Sequence, residues 1–392
     1  MNEESMTLKK KIKRHVSKRV NSFFACVLPG FENFTLNELK SLPLTIKDAA
    51  ITKGGVEFKG YINDCYVTNL LLRSSNRILM RLITFNAFNF KQLSSNIIDF
   101  PWELYITKEA IPKIHATTRS SVLYHKGAIA DCFLESIEKR LNYNINTLTS
   151  FTNSYEQNLF IRVVNNEFMV SIDSSGEMLY KRGIKKCVGN APIRETIASW
   201  ILKEAGYNGK VPIIDAMCGS GTFSIEAAMI SKNIPAGLFR NFTFMKWPCF
   251  NNKDWDDIVN QSKSKIITFN TPEIFASDID DKMCRLLNDT IKEFSLDDIV
   301  NVSCRNFFDL DLCNLTEEKG LIVLNPPYGF RISRQDDLVT KIFEHIQRYF
   351  QGWKFAIVLP DEKNISSFIK RKANRSFKLM HGGIKLNVLF GS

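Results

Sequence analysis

The sequence has no C-x-x-C pair, no histidine cluster and no apolar run long enough to cross a bilayer. Its nine cysteines are scattered singly, which argues against a zinc site and a disulfide framework and for a reducing compartment. The five histidines fall at no metal-ligand spacing, so no metal is expected. No stretch approaches the ~18–20 apolar residues of a membrane span. The apolar run at 23–28, which follows a basic N-terminus, ends in Pro29-Gly30 and is shorter than the ~7–15 residues of a signal-peptide core. Neither membrane insertion nor secretion is expected, and the reading is cytoplasmic. There is no short repeat, and no low-complexity segment after residue 20.

What is present is a chain of 392 residues, more than one ordinary domain, with 44% apolar content sufficient for real cores. The formal net charge is +11, and residues 1–20 carry five Lys and two Arg against Glu3 and Glu4. Two readings of this basic tail stand side by side. One is a solvated, disordered terminus; the other is an arm that contacts phosphates.

From residue 211 onward, strands alternate with helices. Strands are expected at 211–215, 273–277, 299–304, 320–324 and 353–359, with helices at 222–232, 280–294, 338–350 and 365–374. Segments 378–381 and 384–390 flank Gly382-Gly383, a two-residue hairpin signal. This pattern predicts an α/β, doubly wound sheet of about seven strands with one antiparallel edge strand. The first half reads as mixed α+β. Strands are expected at 23–28, 53–59 and 111–118, helices at 34–42 and 126–141, and a hairpin of 160–164 and 167–173 around Asn165-Asn166.

Two motifs carry chemistry. Asp215-Ala-Met-Cys-Gly-Ser-Gly-Thr222 joins a strand to a helix, where an open α/β sheet binds its ligand. Gly219 and Gly221 permit close backbone approach. The loop lacks the third glycine of the dinucleotide fingerprint and the Gly-Lys-Ser/Thr ending of a P-loop. Asp278, after the second strand, is expected to hold ribose hydroxyls, with Asp280 as the cap of the next helix. The 63 residues between Asp215 and Asp278 require an insertion at 233–272, rich in Phe and Trp. That insertion reads as either a satellite core or a partner-contacting surface. After the third strand, either Asn306 or Asp309 is placed to pair with an adenine amino group, and Phe307 to pack on the ring.

The second motif is Asn325-Pro-Pro-Tyr328, at the end of an apolar strand. An aromatic amino group is a poor nucleophile because its lone pair is delocalised. The Asn325 side-chain oxygen and the Pro326 carbonyl can accept its N–H bonds. Pro326 and Pro327 stiffen the backbone that aims them, and Tyr328 offers a flat face. The tetrapeptide alone does not distinguish guanine from adenine, cytosine or glutamine.

Together these residues resemble the class I S-adenosylmethionine-dependent methyltransferases that act on amino groups. Ala191-Pro-Ile-Arg-Glu-Thr-Ile-Ala198, Ile172-Asp-Ser-Ser-Gly176, Leu179-Tyr-Lys-Arg-Gly183 and Pro235-Ala-Gly-Leu-Phe-Arg240 narrow the likeness to RNA guanine-N2 methyltransferases with ferredoxin-like and THUMP modules. The likeness implies a basic tail (1–21), a ferredoxin-like module (22–65 with part of 160–175) and a THUMP RNA-binding module (66–160). A linker (176–190) and a methyltransferase domain (191–392, insertion 233–272) follow. It is to the N-terminal half of a fused enzyme, whose second methyltransferase half is expected to be absent. The implied cofactor is S-adenosylmethionine, contacted by Asp215, Cys218, Gly219, Ser220, Gly221, Thr222, Asp278, Ile279, Asn306, Phe307 and Pro192. The implied substrate is N2 of a guanine in structured RNA, 23S rRNA first and tRNA second, swung out of its stack at a cost of a few kcal/mol. Lys181, Arg182, Lys185, Lys186, Arg331 and Arg334 are candidate phosphate contacts. A protein-glutamine or DNA-amino methyltransferase and a non-catalytic RNA-binding assembly factor remain alternatives.

Overall fold

The computed structural model describes residues 3–46, 48–142, 154–184, 193–271, 273–310, 316–327, 332–361 and 373–392. The chain divides into two compact units, Met1–Leu179 with Arg240–Asn260, and Tyr180–Phe239 with Gln261–Ser392. Among the described residues no helix is long and apolar enough to cross a membrane.

The first unit holds strands β1 (Asn21–Cys26), β2 (Ala49–Thr52), β3 (Gly55–Gly60), β4 (Arg77–Asn86), β5 (Ala110–Arg119), β6 (Tyr155–Val164) and β7 (Glu167–Asp173). They form one sheet in the order β2-β3-β1-β4-β7-β6-β5. Strand β4 pairs with β1 on one side and β7 on the other, so the two expected N-terminal modules share a continuous sheet. Helices α1 (Glu3–Ile12), α2 (Glu32–Ser41), α3 (Ile62–Leu71), α4 (Phe90–Asp99) and α5 (Lys126–Leu141) are among its described residues. The β6–β7 turn forms as expected. Asn165 and Asn166 both take positive φ, 52° and 66°, which a two-residue hairpin requires and Asn tolerates.

From Glu3 onward the basic tail is neither disordered nor detached. Helix α1 continues into a π turn at Lys13–Ser17, and Ile12 and Val16 are buried in the core of the unit, with Leu8 packed against it. These three recur every four residues and so share one helix face. The cations of the tail stay exposed on the other.

The aromatic insertion is also resolved in favour of a core, though not as a satellite of its own domain. Residues 240–260 pack with the first unit, because Phe242, Phe244 and Trp247 bury their rings in its core. Phe244 stacks on Tyr66 with centroids 4.6 Å apart, and the Trp247 indole N–H donates to Gln157 Oε1 at 2.9 Å.

The second unit is the doubly wound sheet. Strands β8 (Ile213–Asp215), β9 (Ile274–Asp278), β10 (Val300–Cys304), β11 (Leu321–Leu324), β12 (Lys354–Pro360), β13 (Arg375–His381) and β14 (Ile384–Gly391) run in the order β10-β9-β8-β11-β12-β14-β13. Five are parallel, and β14 is antiparallel to both β12 and β13, the closing hairpin expected at Gly382-Gly383. All four residues of β11 are buried, as in a strand covered on both faces. Helices α6 (Glu195–Glu204), α7 (Thr222–Ser231), α9 (Asp281–Glu293) and α10 (Ile332–Tyr349) belong to this unit, while α8 (Asn252–Lys263) begins in the segment given to the first. The helix expected at 365–374 falls almost wholly outside the described residues.

Candidate active site

Strand order reverses at β8, with β9 and β10 on one side and β11 and β12 on the other. The carboxyl ends of strands beside such a reversal form the usual ligand crevice. Asp215, the last residue of β8, pairs with Ala276 of β9 and with Val323 of β11. Gly219, Asp278 and Asn325 therefore lie at or just past the carboxyl ends of three neighbouring strands, and the ends of these strands are nearly level.

Asp215 lies beneath the glycine loop and is 1% exposed. Its Oδ2 accepts the Ser224 backbone N–H at 3.1 Å and the Ser224 Oγ–H at 2.7 Å. A buried carboxylate needs such donors, and the first turn of α7 supplies them. The loop closes on itself through Gly221 N–H to Cys218 O at 2.7 Å and joins β9 through Cys218 N–H to Ser277 O at 3.0 Å. Gly219 and Gly221 have φ of +50° and +73°, in the left-handed region that favours glycine. The two differ in their surroundings. A Cβ on Gly221 would run into the Leu287 side chain of α9, whereas one on Gly219 would meet no atom within 4 Å. Gly221 is required for packing, and Gly219 leaves open space beside the backbone. The Cys218 thiol is pushed well above its ordinary range by burial, then by Asp215 and Asp278, so no thiolate competes at the loop.

Asp280 forms the cap expected of it, and Asp278 makes a different set of bonds. Asp280 caps α9, accepting from Lys282 N–H at 3.0 Å and Met283 N–H at 3.3 Å. Asp278 Oδ2 accepts from Gly219 N–H at 2.8 Å and its Oδ1 from Asp280 N–H at 3.0 Å. Those bonds lock the carboxylate's orientation, and each oxygen keeps lone-pair capacity for a ligand hydroxyl. Next to it, Ile279 is 73% exposed, an apolar surface suited to a flat ring. An open glycine backbone, an oriented acid and an exposed apolar side chain fit an adenosine-containing cofactor.

Two sequence expectations require correction. Phe307 is 2% exposed, its ring 4.8 Å from that of His345 and 5.9 Å from that of Phe350. It is part of the core and is not available to pack on a base. Arg182 is buried as well, because its Nε donates to Glu226 Oε1 at 2.8 Å and both side chains are almost wholly inaccessible. A guanidinium held this way makes no phosphate contact. Asn306 is exposed, and its Oδ1 caps the short turn Phe307–Asp309 by accepting from Phe308 N–H at 3.1 Å.

Asn325 follows β11 and is half-buried, with Pro326 buried and Pro327 exposed. Lys181 is exposed, Ser220 is half-buried and Thr222 opens α7. Tyr328, Arg331, Lys185, Lys186, Pro192 and the Arg334 side chain lie outside the described residues. Sequence reasoning missed Ser224, Leu287 and Glu226. Leu287 and Glu226 act by contact with residues distant along the chain, and Ser224 bonds Asp215 from across the glycine loop, nine residues on.

Comparison with known proteins agrees with this geometry. Residues 182–389 match the family model described as RMKL-like, methyltransferase domain, and residues 22–79 match the RlmL ferredoxin-like domain. A Synechocystis protein, slr0064, whose name places it provisionally among RNA methyltransferases, is 29% identical over 94% of this chain and 95% of its own. The ribosomal RNA large subunit methyltransferase K/L of Cellvibrio japonicus is 29% identical over 95% of this chain but 51% of its own. This chain thus spans about half the length of its K/L relatives. Among solved structures, SMU.472 in complex with SAH is 27% identical with a TM-score of 0.81, over 95% of this chain and 98% of that one. TrmN of Thermus thermophilus, at 14% identity and a TM-score of 0.67, shares the fold over 95% of this chain and 99% of its own. With its methyltransferase-domain match covering just over half of its length, the chain belongs to the RMKL-like methyltransferase domain family, UPF0020.

Proposed function

We propose that this chain transfers a methyl group from S-adenosylmethionine to the exocyclic N2 amine of a guanine in structured RNA, with 23S rRNA ahead of tRNA. The observation that carries the reading is the meeting of the Gly219 loop, Asp278 and Asn325-Pro326 on adjacent strand ends at the sheet reversal. S-adenosylmethionine, when bound, supplies an electrophilic methyl on sulfur. The chain's own residues do the rest. Asp278, held by the Gly219 and Asp280 amides, receives ribose hydroxyls, and Ile279 covers one face of the adenine. The Asn325 amide oxygen and the Pro326 carbonyl accept the N–H bonds of the target amine, which fixes its lone pair toward the donor. Alignment and polarisation of this kind supply much of the acceleration without a strong general base. The first unit, with its ferredoxin-like match and THUMP-like continuation, grips the RNA.

The deciding experiment incubates the chain with labelled S-adenosylmethionine and ribosomal RNA, tRNA, DNA or a release factor. Label is expected in ribosomal RNA, recovered as N2-methylguanosine. Label confined to protein or DNA would overturn the substrate, and label on adenine would overturn the base.

Asp278 gives a second expected result. Asp278→Ala should weaken cofactor binding by about 10- to 100-fold, as hydrogen bonds to a charged group are worth ~1.5–3 kcal/mol. Asp280→Ala should leave affinity within about twofold and cost ~1 kcal/mol of stability as a lost cap. Calorimetric titration with S-adenosylhomocysteine, alongside urea melts, separates the two. Equal affinity losses would remove the distinction drawn between them.

A further inference from the structure

Two cysteines from neighbouring elements of the second unit meet at the backbone that carries Asp278. Cys304 is the last residue of β10 and pairs in register with Asp278 of β9. Cys284 lies near the start of α9, the helix that Asp280 caps. Cys284 Sγ is 3.5 Å from Asp278 O and 3.6 Å from Ser303 O, so its S–H bridges the ends of β9 and β10. The Cys304 thiol donates to Ile279 O at 3.8 Å. It also contacts the thiol of Cys284, whose sulfur already touches the carbonyl of the residue before it.

The two thiols differ in the way that redox pairs do. Cys304 alone is exposed among the described cysteines, while Cys284 is 5% exposed. Burial, above all, pushes the Cys284 thiol up to about 11. The thiolate is the form that reacts, so Cys284 by itself is inert and an oxidant reaches Cys304 first. An accessible cysteine beside a sheltered one that can resolve it is the usual build of a redox sensor.

We propose that Cys284 and Cys304 form a modification site for hydroperoxides, oxidised to a disulfide that weakens cofactor binding at Asp278. The Cys304 sulfur attacks a peroxide oxygen, the O–O bond breaks, and one water leaves as Cys304 becomes a sulfenic acid. The Cys284 sulfur then attacks the Cys304 sulfur, and the S–O bond breaks. The hydroxide leaves as a second water with the Cys284 proton. Two thiols are oxidised by two electrons in all, and the peroxide is reduced to water. The disulfide removes both S–H donors from Asp278 O and Ile279 O and draws the start of α9 onto the end of β10. Residues 278–280 lie between those anchors. The Asp278 carboxylate is aimed by the Gly219 and Asp280 amides, so moving that segment disturbs its aim. This last step rests on reading Asp278 as the ribose acid, which Asp278→Ala tests by itself in the reduced chain.

The test uses the full chain, first reduced and then treated with hydrogen peroxide. Peptide mapping without reductant should find Cys284 joined to Cys304, and dithiothreitol should part them. Calorimetric titration with S-adenosylhomocysteine should show affinity lower by about tenfold or more in the oxidised chain, the worth of one hydrogen bond to a charged group, and restored on reduction. Cys304→Ser should bind as the reduced parent does and keep that affinity after peroxide. Cys284→Ala should stop at a sulfenic acid on Cys304, trapped by dimedone. Should loss of the buried thiol unfold that variant, the surface change Cys304→Ser carries the test. Unlinked peptides overturn the proposal, as does a link through Cys218 instead, or a link that leaves affinity unchanged. An equal loss of affinity in peroxide-treated Cys304→Ser would place the damage elsewhere and also overturn it. So would loss of a cooperative thermal transition in the oxidised chain, which would make the effect one of unfolding. Binding is read without RNA, so a chain that methylates no RNA leaves this result standing.

Discussion

Replacing Asn325 by alanine is expected to lower kcat for RNA methylation by about 10²–10³-fold, the usual cost of removing a preorganised hydrogen-bonding group from the reacting centre. Cofactor affinity should stay within about threefold. The separation follows from the sheet. Asn325 leaves β11, while Gly219 and Asp278 leave β8 and β9, so the change removes the proposed acceptor for the amine without touching the loop or Asp278. Asn325→Asp keeps an acceptor for the amine N–H at the same place and should retain more activity than alanine. Single-turnover methylation and calorimetric titration of S-adenosylhomocysteine measure the two quantities independently. Full methylation by the alanine variant would remove Asn325 from the reaction, and a parallel collapse of cofactor binding would make it a structural residue of the crevice.

The parts of this molecule that were legible in the sequence are those whose signal is local and doubled. Strand β11 reads as a buried strand because all four of its residues are apolar and all four are covered. The Asn165-Asn166 turn reads as a hairpin because two successive positive φ values demand such residues. Asp280 reads as a cap because its carboxylate finds the amides two and three residues ahead. The illegible parts depend on what lies across space. Leu8, Ile12 and Val16 do share a helix face, but the surrounding lysines gave the segment the composition of a tail. Helix α4 carried its own signals, an Asn89 cap and buried Leu93 and Ile97 one turn apart, in a stretch crowded with polar residues. The aromatic richness of 240–260 was visible. The core it joins was not, since its partners Tyr66 and Gln157 lie about 90 to 180 residues earlier. Phe307 and Arg182 have the residue types that ligand sites use, and burial alone assigns them elsewhere.

Removing Glu226 is expected to destabilise the second unit by about 3–5 kcal/mol, because Arg182 would remain as a buried charge stripped of its carboxylate. The two side chains are 0% and 2% exposed, with Nε–Oε1 at 2.8 Å and a longer Nη2–Oε2 contact of 3.5 Å. Glu226 sits on α7, the helix that follows the glycine loop, so the pair anchors the segment 180–184 to the element on which the loop closes. Arg182→Ala should cost a similar amount for the mirror reason. Replacing both together, as Arg182→Met with Glu226→Leu, should recover most of the loss, since a hydrophobic pair of similar volume avoids the desolvation that the ion pair carries. Urea melts read these changes as shifts in midpoint at constant slope. The double variant also settles what Arg182 does. With the fold restored and the guanidinium gone, RNA affinity and its salt dependence should match the parent, and a reduced salt slope would return Arg182 to the phosphate-contacting set from which its burial removes it.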